Sequence, residues 1–223
     1  MIDIKTNFEK VTNNLPKGVK LVAVSKTKPN ELIMQAYTLG YRIFGENKPQ
    51  DLKQKHEDLP KDIEWHFIGH LQTNKVKYIA PFVSLIHAVD SLKLLKTINK
   101  EAVKNNRSIN FLFQLHIAQE DTKFGLSCNE LETIITSNEF AELKNINPIG
   151  LMAMATNTSD KQIVRREFNL VKKCFDKLKS SFFKDKEDFK EISTGMSQDY
   201  QLAIAEGSTM VRIGSTLFGM RNK

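Results

Sequence analysis

The sequence predicts one closed eight-stranded α/β barrel. The chain has 223 residues and 40% hydrophobic content, which is enough for one large core. Eight short apolar segments read as strands, and amphipathic helical patterns separate them. Strands that alternate with helices form a parallel sheet, and eight such units in this length favour closure. We therefore predict a single (β/α)8 barrel, a TIM barrel, over residues 1–223.

The predicted strands are short apolar runs bounded by turn residues or charged residues. The first contains Leu21, Val22 and Val24 and ends at Lys26, so an amine stands at the end of a buried strand. In chain order the predicted strands are 21–26, 41–47, 64–70, 84–89, 109–117, 148–154, 189–195 and 209–215.

Several helices have recognisable start signals. Pro29 precedes the first apolar helical face after strand one. Ser159 and Gln162 form a capping-box pattern ahead of the clearest amphipathic helix in the chain. Ser197 is predicted to be the N-cap of a helix at 199–205.

The composition excludes several classes of protein. The first residues mix charged and apolar side chains, unlike a signal peptide, and no apolar stretch has the length of a membrane span. The net charge of +7 could attract nucleic acid, but the lysines are scattered along the chain. We expect a cytoplasmic, monomeric protein that binds neither nucleic acid nor a membrane.

The two cysteines, Cys128 and Cys174, are too few and too far apart in sequence for a zinc module or a disulfide scaffold. They are predicted to be ordinary packing or surface thiols, which agrees with a reducing compartment.

Candidate site residues fall at the C-terminal ends of the predicted strands, where the loops of a parallel barrel surround one open mouth. A lysine amine such as that of Lys26 can form an imine with a carbonyl compound. Loops after strands seven and eight often bind phosphate, which points to Ser197, Gly214 and Ser215. Together these residues suggest a pyridoxal phosphate pocket. The alternatives are a solvated surface lysine, a serine that only caps a helix and a glycine that only permits a turn.

Arg212 would determine the electronic behaviour of such a pocket. A guanidinium donates hydrogen bonds and does not lose its proton, so facing the pyridine nitrogen it would leave that nitrogen unprotonated. A neutral pyridine is a weaker electron sink and supports only limited carbanion chemistry. The alternative role for Arg212 is a salt bridge across the barrel mouth.

A metal site is not expected. His66 and His70 lie four residues apart on one predicted strand, about 13 Å at the rise of a strand, which is too far to chelate one ion. Trp65, Met152 and Met154 are predicted to be core residues.

With these residues in view, the chain resembles the pyridoxal phosphate homeostasis protein family (YggS/PROSC type), whose barrel is similar to the N-terminal domain of alanine racemase. The motifs that carry the resemblance are LVAVSKTKP at 21–29, FGEN at 44–47, WHFIGHLQTNK at 65–75, KFGLS at 123–127, GLM at 150–152, STGMSQDY at 193–200 and MVRIGSTLFG at 210–219.

The resemblance implies a role for each candidate residue. Lys26 would hold pyridoxal 5'-phosphate (PLP) as a Schiff base and Arg212 would face the ring nitrogen. The phosphate would lie against Ser197, Gly214 and Ser215. The ring would lie beside Asn47. The chain departs from the family pattern at Lys48, Pro49 and His116, which are expected near the rim of the site.

The resemblance also implies a protein that binds and buffers PLP without catalytic turnover. Alanine racemase adds a second domain with a catalytic tyrosine, and the end of this sequence at Lys223 leads us to expect no such domain. PLP-dependent apoenzymes would be the recipients of the cofactor. The alternative is an amino-acid racemase or lyase that uses the same Lys26 imine.

Overall fold

A computed structural model describes residues 3–120 and 123–220 and contains a closed barrel of eight parallel strands. Each strand pairs with its sequence neighbours, and β1 closes the sheet against β8 with Val22 opposite Arg212. The predicted barrel and its eight strands are confirmed. The strands are β1 Lys20–Val24, β2 Ile43–Glu46, β3 Glu64–Phe67, β4 Leu85–Val89, β5 Ile109–Leu115, β6 Ile146–Ala153, β7 Glu191–Ser193 and β8 Met210–Ile213.

Helices connect consecutive strands, as a parallel sheet requires. A further helix, α1, precedes β1, and its N-cap Asp3 accepts a hydrogen bond from the backbone of Thr6. The helices are α1 Ile4–Thr12, α2 Asn30–Thr38, α3 Pro49–Asp58, α4 Leu92–Lys104, α5 Cys128–Ile135, α6 Asn138–Ala141, α7 Lys161–Ser181, α8 Tyr200–Ala205 and α9 Ser215–Phe218, with a 3-10 helix at Thr73–Tyr78 after β3.

The core has two layers. Outward-facing strand residues pack against the helices in one large apolar cluster that includes Trp65, which is fully buried as predicted. A smaller cluster comes from the strands alone and fills the barrel interior, and Met154 packs against it. Its buried members are Val22, Leu85, Ala88, Leu112, Met152 and Met210.

Two predicted helix caps are wrong. The N-cap of α7 is Asp160, whose carboxylate accepts hydrogen bonds from the amides of Gln162 and Ile163, and not Ser159. The N-cap of α8 is Asp199 and not Ser197. In each case an aspartate lies closer to the first helical residue than the predicted serine does. Asp160 caps α7 with its carboxylate, whereas the Asp199 carboxylate accepts from the Met196 amide and makes no capping bond to α8.

The predicted state of the cysteines is also wrong. Cys128 at the start of α5 and Cys174 in α7 form a disulfide across 46 residues of sequence, with their Cα atoms 6.0 Å apart. Separation along the chain carries no information on whether two helices lie side by side on the outside of a barrel. The disulfide joins the segment that follows β5 to the helix that follows β6.

Within residues 3–120 and 123–220, no helix combines the length and the apolar character needed to cross a membrane.

Candidate functional site

A cavity of about 700 Å³ lies at the C-terminal ends of the strands. Five of the six predicted binding residues line it: Lys26, Ser197, Arg212, Gly214 and Ser215. They come from segments more than 170 residues apart in sequence, and closure of β8 onto β1 brings them together. The cavity volume is within the range of sites that enclose a small molecule.

Asn47, the sixth predicted residue, is not among the residues that line this cavity. It follows β2 and packs closely against the next strand exit, because a Cβ atom on Gly69 would lie 2.4 Å from the carbonyl oxygen of Asn47. The structure therefore places Asn47 in the rim beside the cavity.

Lys26 lies two residues beyond the end of β1 and is partly buried. Val24 and Lys26 both line the cavity, while Val22 belongs to the barrel interior. The alternation along the strand therefore directs these three side chains to the inside, as the sequence predicts.

Arg212 forms the floor of the cavity and is only 4% exposed. Its Nη1 donates to the carbonyl oxygen of Ser193 at 2.6 Å and to the Ser193 hydroxyl at 2.7 Å, and its Nη2 donates to the Ala153 carbonyl at 3.0 Å. Burial lowers the pKa of Arg212 to about 10, so the guanidinium stays charged at neutral pH. Its hydrogen-bond acceptors are neutral oxygens, which argues against the salt bridge considered as an alternative.

Two buried histidines continue this network into the barrel. His87 Nδ1 lies 3.0 Å from the Ser193 hydroxyl, and His87 Nε2 lies 3.0 Å from His66 Nδ1. Arg212 donates to Ser193, and the links from Ser193 to His87 and from His87 to His66 can run in either direction, according to the histidine tautomers. Burial lowers the pKa of His66 to about 3 and that of His87 well below its usual value, so both rings are neutral.

From the sequence, His66 was considered only as a metal ligand, and its contact with His87 was not predicted. A signal was available, since His66 lies between the outward-facing Trp65 and Phe67 and must therefore face the interior. No cluster of three or more potential metal ligands occurs in the described part of the chain, and His70 instead stacks on Phe124.

Ser197, Gly214 and Ser215 form one corner of the cavity. The Gly214 amide donates to the Ser197 hydroxyl at 3.2 Å, which joins the segment after β7 to the segment after β8. A Cβ atom on Gly214 would lie 3.2 Å from the Val24 carbonyl oxygen and 3.3 Å from Val24 Cβ, so a side chain there would crowd β1. This corner has the small residues and the amide and hydroxyl donors that suit a phosphate.

The opposite wall comes from the segment after β6. Glu167 of α7 accepts hydrogen bonds from the Thr156 amide at 2.7 Å and the Thr156 hydroxyl at 2.6 Å. Lys123 donates to the Ala155 carbonyl at 2.6 Å and lies 3.0 Å from Glu120. These contacts fix a polar wall that the sequence analysis did not identify.

The three departures from the family pattern lie around the rim. Lys48 is the exposed N-cap of α3, and Pro49 occupies its first position, where a missing amide hydrogen has no consequence. His116 Nε2 lies 3.1 Å from the Glu120 carbonyl oxygen. None of the three lines the cavity.

The chain is similar to known proteins over nearly its whole length. Residues 2–222 match the family described as "Alanine racemase, N-terminal domain". The chain is 39% identical to the pyridoxal phosphate homeostasis protein of Aquifex aeolicus over 203 residues, 91% of this chain and 87% of that protein. It is 39% identical to the protein of the same name from Helicobacter pylori strain J99 over 230 residues, 98% of this chain and 99% of that protein.

Solved structures share the fold. PipY of Synechococcus elongatus PCC7942, solved with PLP bound, matches with a TM-score of 0.87 and 31% identity over 97% of this chain and 100% of PipY. Alanine racemase of Clostridium difficile 630 matches with a TM-score of 0.79 and 14% identity over 99% of this chain and 60% of that enzyme, which shows a common fold. The chain belongs to the pyridoxal phosphate homeostasis protein family, whose barrel is that of the alanine racemase N-terminal domain.

Proposed function

We propose that this protein binds PLP in the cavity at the barrel mouth and takes part in control of the free PLP concentration. The observation that carries the proposal is the meeting of Lys26, Arg212 and the corner formed by Ser197, Gly214 and Ser215 in one cavity. The PLP-bound structure of PipY, a relative at 31% identity, supports it.

The donor set fits three functional groups of PLP: the aldehyde, the phosphate and the ring nitrogen. Lys26 supplies an amine for the aldehyde, and the corner at Gly214 supplies hydroxyl and amide groups without a Cβ atom in the way. Arg212 supplies a fixed cation with donors only, which suits an unprotonated ring nitrogen. When bound, PLP would supply an aldehyde for covalent attachment and a ring that withdraws electrons.

The residues of this chain would favour binding of PLP over catalysis with it. Arg212 stays charged and cannot pass a proton to the ring nitrogen, and the neutral His87 and His66 behind it add no acid. We therefore propose covalent attachment through Lys26 without sustained turnover, in a cytoplasmic monomer that passes PLP to PLP-dependent apoenzymes.

The test of attachment is titration of the PLP-free protein with PLP, followed by visible absorbance. The Lys26→Ala variant should fold, since a strand-end amine contributes little packing, and should lack the absorbance of the lysine linkage. Lys75→Ala is the matched control and should behave as wild type. Retention of the linkage absorbance by Lys26→Ala would move the attachment to another lysine and contradict the proposal.

Turnover is tested separately, by exchange of the α-proton of amino acids in deuterated water. We expect the PLP-loaded protein to give exchange no faster than free PLP at the same concentration. Sustained exchange far above that level would support a racemase or lyase instead.

A further inference from the structure

The backbone immediately after Lys26 adopts a conformation that its residue type disfavours. Thr27 has φ +65°, and among the described residues the only other non-glycine with positive φ is Asn106. Asparagine adopts this region readily, whereas a β-branched residue such as threonine does so rarely. Strained backbone of this kind persists only where surrounding contacts enforce it.

The strain lies in a tight turn that contains Lys26. The Lys28 amide donates to the Ser25 carbonyl at 3.0 Å, which makes Ser25 the first residue of the turn and Thr27 the third. Positive φ at the third residue alone defines a type II turn, which prefers glycine or asparagine at that position. The more common type I turn would suit threonine but would flip the peptide between Lys26 and Thr27.

A buried ion pair holds the first residue of this turn. Lys55 Nζ donates to the Ser25 carbonyl at 2.9 Å and to Glu46 Oε1 at 2.7 Å. The Ser25 hydroxyl donates to the same Glu46 oxygen at 2.6 Å. Ser25 and Glu46 are fully buried and Lys55 is 9% exposed, so water does not compete strongly for these hydrogen bonds.

We propose that the Glu46–Lys55 pair is a positioning device that keeps the 25–28 turn in its strained form and so directs the Lys26 amine into the cavity. Replacement of a buried ion pair by neutral residues is often harmless to stability, which makes a role in position rather than in folding testable. The measurement of PLP affinity rests on the proposed function, whereas the acetylation of Lys26 in the PLP-free protein does not.

The test compares the double variant Glu46→Gln/Lys55→Met with Lys53→Met, which changes an exposed lysine on the same helix. In the PLP-free protein, the acetylation rate of Lys26, measured by mass spectrometry, depends on the position and environment of its amine. The thermal unfolding temperature shows whether the variant is folded. In the double variant we expect the acetylation rate of Lys26 to change several-fold. We expect PLP affinity to be about tenfold weaker, because the loss of one hydrogen bond from a charged group has an effect of this size. Lys53→Met should match wild type in both.

Rescue separates positioning from folding. Thr27→Gly added to the double variant should restore PLP affinity to within about threefold of wild type, because glycine adopts positive φ without steric penalty. A pair that serves the fold alone would lower the unfolding temperature and would leave both PLP affinity and Lys26 acetylation unchanged in the folded protein. That result would overturn the proposal.

If the double variant does not fold, Glu46→Asp decides, since it keeps the charge but shortens the side chain that holds Lys55 and the Ser25 hydroxyl. Unchanged Lys26 acetylation and unchanged PLP affinity in Glu46→Asp would then reject the proposal. Failure of the wild-type protein to bind PLP would reject the proposed function, while the acetylation rates would still decide the role of the turn.

Discussion

Arg212 is held by three hydrogen bonds before any ligand is present. The bonds of its Nη atoms to Ser193 and Ala153 fix the plane of the guanidinium, since the two nitrogens reach oxygens on two different strands. A lysine ammonium lacks the planar fork that holds this geometry. The position of the cation at the cavity floor is therefore a property of the barrel itself.

The substitution Arg212→Lys should weaken both the fold and the site. Loss of two charge-assisted hydrogen bonds in a buried setting should lower the free energy of unfolding by about 3 kcal/mol. Urea unfolding measures this change, and PLP titration should show weaker binding. Arg165→Lys, on the exposed side of α7, is the control and should alter neither quantity; a wild-type free energy of unfolding in Arg212→Lys would contradict the role given to its hydrogen bonds.

At the scale of single residues, the sequence predicts which residues belong to the site better than it predicts their contacts. The end of a strand and the chemistry of an amine or a guanidinium were enough to select Lys26 and Arg212. The contact between His66 and His87 was not predicted, because it depends on the register between β3 and β4, where His66 lies opposite Leu85. Asn47 is not among the residues that line the cavity, and its place beside the ring stays a prediction.

At the scale of elements, the pairing of β6 with β7 leaves no room for a side chain at Gly150. A Cβ atom at this position would lie 1.8 Å from the carbonyl oxygen of Glu191, which is backbone and cannot move aside. Gly150 therefore permits the β6–β7 pairing, in which Gly150 lies opposite Glu191.

The substitution Gly150→Ala should force the two strands apart and lower the free energy of unfolding by about 3 kcal/mol, at the upper end of overpacking effects. Gly40→Ala is the matched control, since Gly40 also has positive φ but a Cβ atom there meets nothing within 4 Å. The control should lose only about 1 kcal/mol from the backbone conformation. Equal losses in urea unfolding would show that the close approach to Glu191 is unimportant.

Strands were easier to predict than helix starts. Apolar runs mark strands directly, and the structure differs mainly at their ends, where the chain leaves the sheet to form the loops of the site. The start of α7 was misassigned because two potential caps, Ser159 and Asp160, precede the helix, and Asp160 accepts its first amides. The start of α8 was misassigned because neither side chain caps it: Ser197 accepts from the Gly214 amide and Asp199 from the Met196 amide. The type of residue does not decide which of two adjacent acceptors makes the bond.

At the scale of the whole molecule, closure of the barrel encloses polar groups that an open sheet would leave in water. His66 and His87 are buried and neutral at the centre of the strand layer. Closure also explains why the partners of the two cysteines were not predictable, since the helices outside the barrel meet across 46 residues of sequence.

The buried histidines should make the fold sensitive to acid. Their pKa values in the folded state lie below the ordinary 6.5, to about 3 for His66, so the unfolded chain takes up protons first as the pH falls. Stability is therefore complete above pH 6.5 and declines from there toward pH 3. Between pH 7.5 and 5.5, His66 alone should contribute a loss of about 1 kcal/mol.

Urea unfolding at these two pH values measures the effect. His66→Gln should reduce the pH dependence whatever its effect on stability at pH 7.5, because one titrating group is removed. Gln50→Asn, an exposed substitution that neither adds nor removes a titrating group, is the control and should leave the pH dependence unchanged. An identical pH dependence in wild type and His66→Gln would show that His66 is not buried in its neutral form.

The central claim is that the amine of Lys26 is the group that attaches PLP. The most direct measurement is peptide mapping by mass spectrometry after borohydride reduction of the PLP-loaded protein. We predict a pyridoxyl-phosphate mass increment on the peptide that contains Lys26, and no increment at this position in Lys26→Ala. A wild-type protein that binds PLP but carries the increment on another lysine, or on none, would contradict the account.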